Sequence, residues 1–376
     1  MATGFLMILI LALLIALSYL VLIAIFTFGW YRKNGEKNFS GFSLMKISVV
    51  VAVRNEESNM AGLLNDLIRQ DYPGGLLEII IVDDHSTDRT AGVTRNFIQD
   101  HPLSAIIFIL NNDEKKRGKK ASVELGISRA TGEVIVTTDA DCRMREGWIR
   151  ALAGRFTKEH VQMVFGPVTI GKQDNFAGLF QAMEFDGLVA SGGGAALAGY
   201  PFLCNGANLA YRREAFHTTG GFSDNMRYIS GDDVFLLHKI KKQFGAGAIV
   251  FCKDEQAIVD TAPVSGAGAF LRQRIRWASK SKGYRDSLSI ITAITIFSYS
   301  LTVLLSFLAG FTDPMYFSIS GGLFLLKIFA DLPLLAGITK FTGKPFPFMW
   351  YPVFQLIYPL YIIIAGILSL SNRNKW

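Results

Sequence analysis

Two acidic motifs and one basic-aromatic segment have the residue types and spacing to do chemistry. Asp139-Ala140-Asp141 places two carboxylates two residues apart, and Gly231-Asp232-Asp233 adds an acidic pair. Carboxylates can hold a hard divalent cation, which in turn bridges phosphate oxygens. Gln273-Arg274-Ile275-Arg276-Trp277 follows, just before a long apolar block. This order suggests chemistry on a metal-bound diphosphate, with the acceptor held at a bilayer surface.

Each motif also has a simpler explanation. The first acidic motif could be a solvated turn, and Asp232 and Asp233 could cap a helix instead of supplying a general base for a hydroxyl. Gln273, Arg276 and Trp277 share one helical face, where they could bind a phosphate and stack on a sugar. Arginine and tryptophan also anchor helices at membrane interfaces. From the residues alone, both interpretations remain open.

Two further polar stretches could contribute to a nucleotide site. In the stretch that begins with Asp83-Asp84, a carboxylate could accept hydrogen bonds from a base or ribose, while Ser86 or Asp88 caps the next helix. Lys119 could neutralise diphosphate charge as a point cation, or lie in a solvated basic loop. The phosphate-binding loop spacing is absent there, and the glycines at 192–194 lack dinucleotide spacing. We expect those glycines to form a flexible loop.

The elements that must position these residues alternate between short apolar runs and helical patterns. The predicted strands are Ile47–Val53, Leu77–Val82, Ala105–Leu110 and Glu133–Thr138, with later ones at Gln162–Val168 and Ala246–Cys252. This alternation predicts an α/β fold with a parallel sheet, and ligands bind at the carboxyl edge of such sheets. That edge should gather Asn55, Asp83, Asp84, Asp139 and Asp141.

Apolar residues are concentrated at the two ends of the 376-residue chain. Phe5–Phe28 contains no charged residue and is long enough to cross a bilayer. Three more candidate spans follow at Leu288–Leu308, Phe317–Ile338 and Met349–Leu370. We therefore predict an N-terminal transmembrane helix within residues 1–30, a water-soluble domain over 39–285 and a transmembrane region over 286–371.

The distribution of Lys and Arg predicts the orientation. The N-terminal tail has none, whereas Arg32 and Lys33 follow the first span, which places the middle domain in the cytoplasm. The loop at 309–316 should then be outside and the loop at 339–348 inside. Arg373 and Lys375 do not fit an external tail, so one of the last spans could be re-entrant or interfacial. Within the third span, Lys327 and Asp331 should pair.

The net charge and the cysteine content indicate which kind of partner and which compartment to expect. The formal net charge is +7, and the basic residues cluster around Lys115–Lys120, Lys239–Lys242 and Arg272–Lys282. The last cluster adjoins the apolar block, where anionic lipid is a simpler partner than nucleic acid. The predicted basic amphipathic helix at 269–284 has Phe270, Ile275 and Trp277 available to the lipid interface. The three cysteines are widely spaced and fit a reducing compartment.

Phe176–Val189 has apolar residues at helical spacing, although Glu184 and Asp186 argue against a full membrane span.

Taken in order, the motifs resemble those of membrane-embedded family 2 glycosyltransferases, such as cellulose, chitin and hyaluronan synthases and ceramide glucosyltransferase. The matching stretches are Val49–Glu57, Val82–Thr90, Gly118-Lys119, Asp139-x-Asp141, Gly231-Asp232-Asp233 and Gln273-x-x-Arg276-Trp277. The resemblance implies a GT-A (Rossmann-like) fold with flanking transmembrane and interfacial helices. It also implies an integral membrane enzyme, expected in a bacterial inner membrane, with Mg²⁺ or Mn²⁺ as cofactor.

The same resemblance implies roles for individual residues. Ala52, Asn55, Asp83, Asp84, Lys119 and Asp139 would bind the donor nucleotide, and Asp139 and Asp141 the metal. Asp233 matches the catalytic base, and Asp232 replaces the commoner Glu beside it. Gln273, Arg276 and Trp277, with Asp232, would contact the diphosphate and the acceptor.

The implied activity is inverting transfer of a hexosyl or N-acetylhexosaminyl group from a nucleotide sugar, with a UDP-sugar as the expected donor. The acceptor would be a lipid or glycan hydroxyl at the cytoplasmic face. A processive polysaccharide synthase is the alternative within the class. A transporter with a nucleotide-sensing domain, suggested by Lys327 and Asp331, and an inactive scaffold are the alternatives outside it.

Overall fold

The computed structural model describes residues 2–32, 44–102, 105–111, 113, 118–223 and 231–371. The chain divides into two compact units. Residues 33–171 and 199–262 form the first, here called the α/β unit, and residues 1–32, 172–198 and 263–376 form the second, here called the helical unit. Two stretches of the expected 39–285 domain, residues 172–198 and 263–285, thus group with the apolar helices. The expected start at Phe39, the tail with Arg373 and Lys375, and most of the basic loop before Gly118 lie outside the described residues.

The α/β unit contains two sheets. Its strands are β1 (Ile47–Val53), β2 (Leu77–Asp83), β3 (Ile106–Leu110), β4 (Val134–Thr137), β5 (Arg143–Met144), β6 (Met163–Phe165), β7 (Val168–Ile170), β8 (Leu209–Arg212), β9 (Ile249–Phe251) and β10 (Val259–Thr261). The larger sheet has the order β3-β2-β1-β4-β8-β6-β9, and the smaller one β5-β10-β7. Strands β1 to β4 run parallel to one another, whereas β8 runs antiparallel to both β4 and β6. The predicted α/β fold with a parallel core is confirmed.

The helices of this unit are α2 (Met60–Ile68), α3 (Thr90–Asp100), α4 (Lys119–Arg129), α5 (Trp148–Ala153), α7 (Arg213–Thr218) and α8 (Asp232–Phe244). Strand β2 is buried along its whole length, as expected for a sheet covered on both faces. Helix α4 lies close to the sheet, since a Cβ at Gly126 would be 2.4 Å from Val50 Cγ1. In the register, Val53 pairs with Asp83, so β1 and β2 end at the same edge.

Two predicted strands were wrong in their extent. Ala246–Cys252 is a strand only over Ile249–Phe251, which follows a short 3₁₀ turn at Ala246–Ala248. Gln162–Val168 is divided into β6 and β7, which belong to different sheets. The break falls at Gly166-Pro167. Proline has no N–H to donate to a ladder, and Gly166 N instead donates to the carbonyl oxygen of Asn208 at 2.9 Å.

The helical unit holds six helices within the described residues: α1 (Ala2–Tyr31), α6 (Phe176–Leu197), α9 (Ala267–Ser279), α10 (Ser287–Ala309), α11 (Met315–Thr342) and α12 (Tyr351–Ser371). Four of them, α1, α10, α11 and α12, are long and apolar enough to cross a membrane. All four predicted spans therefore coincide with helices of sufficient length.

Helix α6 overturns one expectation. The glycines at 192–194, predicted as a flexible loop, lie inside this helix. Close packing against α1 explains the small residues. A Cβ at Gly194 would lie 2.2 Å from Phe26 O, and one at Gly29 would lie 1.9 Å from Gly194 O. Glycine at both positions lets the two backbones approach, as small residues do between packed helices.

A polar cluster joins three helices of this unit. The predicted pair is confirmed, because Lys327 Nζ lies 2.5 Å from Asp331 Oδ2 on α11. Lys327 also donates to Gln355 Oε1 of α12 at 2.7 Å, and Tyr19 of α1 donates to Asp331 Oδ1 at 2.6 Å. Each charge is thus matched by groups from neighbouring helices.

Helix α9 differs from the predicted interfacial helix. It begins at Ala267 and ends at Ser279, and a short 3₁₀ turn follows at Lys280–Gly283. Phe270 and Ile275, expected to face lipid, are both buried within the protein. Phe270 packs against Tyr361 of α12 and Phe180 of α6, with ring centroids 5.6 and 5.9 Å apart. The apolar residues that the sequence predicted to contact lipid therefore pack against other helices of the protein.

Candidate active site

Hydrogen bonds tie the loops after β1 and β2 together. Asn55 Oδ1 accepts from the Thr87 N–H at 2.8 Å, and the Asn55 N–H donates to Ser86 Oγ at 3.0 Å. Asn55 and His85 both have left-handed backbones, with φ of 55° and 59°. Left-handed non-glycine residues cluster at functional sites. Ala52 is half-buried in β1, just before this junction.

The two carboxylates at the end of β2 are buried and organise their surroundings. Asp83 Oδ1 accepts from the Ser86 N–H at 2.9 Å, which shapes the turn that leaves the strand. Asp84 Oδ2 accepts from the Gly118 N–H at 2.9 Å, so it connects this edge to the start of α4. Asp88 accepts from the Thr90 N–H at 2.9 Å at the start of α3. A structural role is therefore visible for each of these acids.

Lys119 is the positive centre of the site. As the first residue of α4, it forms an ion pair with Asp139, which follows β4. Burial alone would lower the pKa of Lys119, but the charges of Asp139, Asp232 and Asp233 raise it above its ordinary value. Lys119 therefore remains a cation throughout the physiological range. Its charge balances these carboxylates.

Gly206 shows how closely the second acidic motif approaches this lysine. A Cβ built there would lie 3.5 Å from Asp233 Cβ, 3.6 Å from Asp232 Oδ2 and 3.8 Å from Lys119 Nζ. The Gly206 N–H donates to Asp233 Oδ2 at 3.1 Å, and the N–H of Val234 donates to Oδ1 at 2.7 Å. Helix α8 begins at Asp232, so the partial positive charge at its N-terminus stabilises the carboxylates of Asp232 and Asp233. Gly206 was not singled out from the sequence.

Asp141 is close enough to Asp139 for the two charges to interact. Burial and the negative charge of Asp139 raise its pKa, although Thr261 donates a hydrogen bond to Asp141 Oδ2 at 3.1 Å. A divalent cation would relieve this carboxylate repulsion, so the donor set fits a hard metal. No group of three acidic, histidine or cysteine side chains that could hold a metal occurs within the described residues. Mg²⁺ is commonly held by one or two carboxylates together with substrate phosphates.

A small cavity of about 10 Å³ adjoins these residues, large enough for roughly one water molecule. Lys119, Asp232 and Asp233 line it together with Tyr211. Tyr211 is 1% exposed, and its hydroxyl has no hydrogen-bond partner in the part of the chain that the structure covers. Nothing in its local sequence marked this tyrosine, because the cavity depends on strands distant in the chain.

The basic-aromatic segment lies on α9, in the helical unit. Arg276 is exposed, whereas Gln273 and Trp277 are half-buried. All three thus retain surface that a ligand could contact. The residue between them, Arg274, is buried and forms an ion pair with Glu184 of α6. Sequence reasoning assigned no role to Arg274.

Comparison with known proteins shows which proteins the chain is similar to. Residues 48–220 match the family model described as "Glycosyl transferase family 2". The fold of the whole chain resembles the mannosyltransferase PcManGT from Pyrobaculum calidifontis, solved in complex with GDP-Man and Mn²⁺, with a TM-score of 0.57 and 18% sequence identity over 98% of both chains. The α/β unit thus carries most of the match to the family 2 glycosyltransferase model, and its fold is of the GT-A type.

Relatives of known name are glycosyltransferases. Glycosyltransferase AglE of Haloferax volcanii is 24% identical over 278 residues, which cover 72% of this chain and 84% of that protein. A beta-monoglucosyldiacylglycerol synthase of Nostoc is 27% identical over 249 residues, which cover 65% of this chain. The chain spans about half of that synthase, 51% of its length.

Proposed function

We propose that this protein is an inverting glycosyltransferase that moves a hexosyl or N-acetylhexosaminyl group from a nucleotide sugar to the hydroxyl of a lipid-type acceptor at the cytoplasmic face of a membrane. The observation that carries the proposal is the convergence of Asp139, Lys119, Asp232 and Asp233 in the α/β unit of a chain whose residues 48–220 match the family 2 glycosyltransferase model. Such a site combines a general base with groups that can stabilise a departing diphosphate.

In the proposed reaction, Asp233 accepts the proton of the acceptor hydroxyl as its oxygen attacks the anomeric carbon. Its backbone hydrogen bonds, from the N–H groups of Gly206 and Val234, hold the carboxylate in place. The bond from the anomeric carbon to the diphosphate breaks as the new bond forms on the opposite face, so the configuration inverts. Lys119 and Arg276 would offset negative charge on the departing diphosphate.

Asp139 and Asp141 are the residues that would hold Mg²⁺ or Mn²⁺. When bound, the metal would neutralise charge on the diphosphate. Ala52, Asn55, Asp83 and Asp84 are proposed to bind the nucleotide, with UDP as the expected nucleoside diphosphate. Their support is the position of these residues at the carboxyl ends of β1 and β2, where α/β sheets bind ligands.

Gln273, Arg276 and Trp277, together with Asp232, are proposed to contact the diphosphate and the acceptor. A lipid acceptor is supported by the four helices that could cross a membrane. It is also supported by the names of two relatives, the glucosyldiacylglycerol synthase and an undecaprenyl-phosphate 4-deoxy-4-formamido-L-arabinose transferase of Enterobacter. An amide, a guanidinium and an indole suit an anionic group beside a sugar ring.

The test is a screen of UDP- and GDP-sugars with the purified full-length protein and membrane lipid extract. We expect one donor to release nucleoside diphosphate, with release abolished by EDTA and restored by Mg²⁺ or Mn²⁺. Asp141→Asn should lower the activity sharply at limiting metal concentration. Mass spectrometry should find lipid carrying one added sugar, whereas a long polymer would indicate a processive synthase. No release from any donor would contradict the proposal.

A further inference from the structure

A buried ion pair in the helical unit includes Arg274, which is a residue of the basic-aromatic segment. Arg274 Nε donates to Glu184 Oε2 at 3.0 Å, and a second guanidinium nitrogen contacts the same oxygen. The two side chains are only 3% and 2% exposed. Tyr361 of α12 donates to the other oxygen, Oε1, at 3.0 Å, so both carboxylate oxygens are engaged.

The same guanidinium is stacked between two aromatic rings of its own helix. It lies 4.2 Å from the ring centroid of Trp277 and 4.5 Å from that of Phe270. Phe185 of α6, next to Glu184, packs against Trp277 with centroids 6.0 Å apart. The indole is therefore in contact with both Arg274 and α6. A planar guanidinium can stack flat on an aromatic ring, whereas a lysine ammonium approaches one only as a point charge.

Arg274 also determines the orientation of the Gln273 amide. One guanidinium nitrogen donates to Gln273 Oε1. Because a guanidinium carries only donors, the amide oxygen must face it, and the amide NH₂ is directed away. Gln273 is thus set to donate hydrogen bonds to an anionic or hydroxyl group. A free glutamine could rotate and present either end.

We propose that Glu184 and Arg274 are positioning residues that set the Trp277 indole and the Gln273 amide for acceptor binding. This inference rests on the proposed function. Glu184 holds the Arg274 guanidinium in place, and Arg274 in turn orients Gln273 and Trp277. Removing the carboxylate should leave a buried guanidinium without its counter-charge and release the indole. The consequence is weaker acceptor binding, with donor binding unchanged.

The first experiment reports the indole directly and needs no enzyme activity. The full-length protein, labelled with 5-fluorotryptophan and placed in lipid nanodiscs, should give a ¹⁹F resonance for each of its five tryptophans. Trp277→Phe assigns the relevant resonance. Glu184→Gln and Arg274→Lys should both shift or broaden it and leave the other four in place. An unchanged Trp277 resonance in both variants overturns the proposal.

The second experiment uses steady-state kinetics with the donor and lipid identified by the screen. Glu184→Gln should raise the KM for the acceptor about tenfold, within the hundredfold range that a 1 Å misplacement can cost. The KM for the donor should not change. An equal rise in both KM values would indicate general damage and overturn the positioning role.

Asp331→Asn is the matched control, because it breaks the other buried ion pair of the same unit. Asp331 contacts Tyr19, Lys327 and Gln355, in a separate cluster. It should lower thermal stability but leave the Trp277 resonance and the acceptor KM as in the wild type. If it reproduces the Glu184→Gln effects, the positioning role is wrong.

If Glu184→Gln does not fold, Tyr361→Phe replaces it. This variant removes only the hydrogen bond to Glu184 Oε1, and a smaller shift of the same resonance is expected. No shift overturns the proposal. If the wild-type protein shows no transfer with any donor, the proposed function fails, while the ¹⁹F measurements still decide whether Glu184 and Arg274 orient the indole.

Discussion

Lys119 shows how one residue can hold together an acidic site. It forms an ion pair with Asp139 and lies close to Asp232. Without a cation among them, these carboxylates would repel one another in a partly buried setting. The sequence identified Lys119 as a cation for diphosphate. It could not show that the same charge is paired with carboxylates of the chain itself, because these follow β4 and begin α8.

Asp233→Asn tests the assignment of the base. We expect at least a hundredfold loss of transfer, since general base catalysis contributes about 10²–10⁴-fold. Donor affinity, measured by calorimetry, should be nearly unchanged because the amide keeps the size of the side chain.

Glu214→Gln is the matched control, since it removes an exposed carboxylate from α7 of the same unit. It should transfer sugar at the wild-type rate. Full activity in Asp233→Asn would show that Asp233 is not the general base.

At the scale of elements, local sequence patterns predicted most strands and helices, but they did not predict contacts between residues far apart in the chain. Strand β1 has the predicted bounds, because its β-branched run ends at a polar turn. Helix α6 was predicted to end at Val189 but continues to Leu197. Glu184 and Asp186 argued against a full membrane span, and nothing nearby in the sequence showed that Glu184 is buried against Arg274, which lies 90 residues away. Patterns within one segment cannot reveal a neutralising partner so distant in the chain.

The glycine contact between α1 and α6 makes a testable prediction. Alanine favours helices over glycine by about 1 kcal/mol, but at Gly194 the added methyl would meet the backbone of α1. We expect Gly194→Ala to destabilise the protein by about 1–3 kcal/mol, as overpacking does. Thermal unfolding in detergent measures the change.

Gly322→Ala provides the comparison. Gly322 lies inside α11 with nothing within 4 Å of the added Cβ, so the substitution should be neutral or slightly stabilising. Equal effects of the two substitutions would show that the α1–α6 contact is not close.

For the molecule as a whole, chain order and structural grouping differ. Residues 172–198 lie between strands of the α/β unit in sequence but belong to the helical unit. The sequence placed them in the catalytic domain because strands precede and follow them. Amphipathic helices in such positions carry no local signal that distinguishes packing on a sheet from packing on apolar helices.

The orientation of the helical unit can be tested by cysteine labelling in spheroplasts. Thr312→Cys, between α10 and α11, should react with an impermeant maleimide added outside. Phe348→Cys, between α11 and α12, should react only after permeabilisation. Both positions are exposed.

Background labelling should be low because the three native cysteines are buried. Burial raises the pKa of Cys252 to about 11, which keeps its reactive thiolate scarce. The opposite labelling pattern would reverse the proposed orientation.

The polar cluster around Lys327 also bears on how the chain is made. A charge at the centre of a helix costs about 2.5–3.5 kcal/mol on insertion scales, and α11 carries two. Their partners are Tyr19 on α1, which is synthesised before α11, and Gln355 on α12, which is synthesised after it. We expect α11 to settle in the bilayer only after α12 has been synthesised. A chain stopped after Gly343 should therefore be degraded faster in pulse–chase experiments than the full chain, and equal half-lives would refute this order of biogenesis.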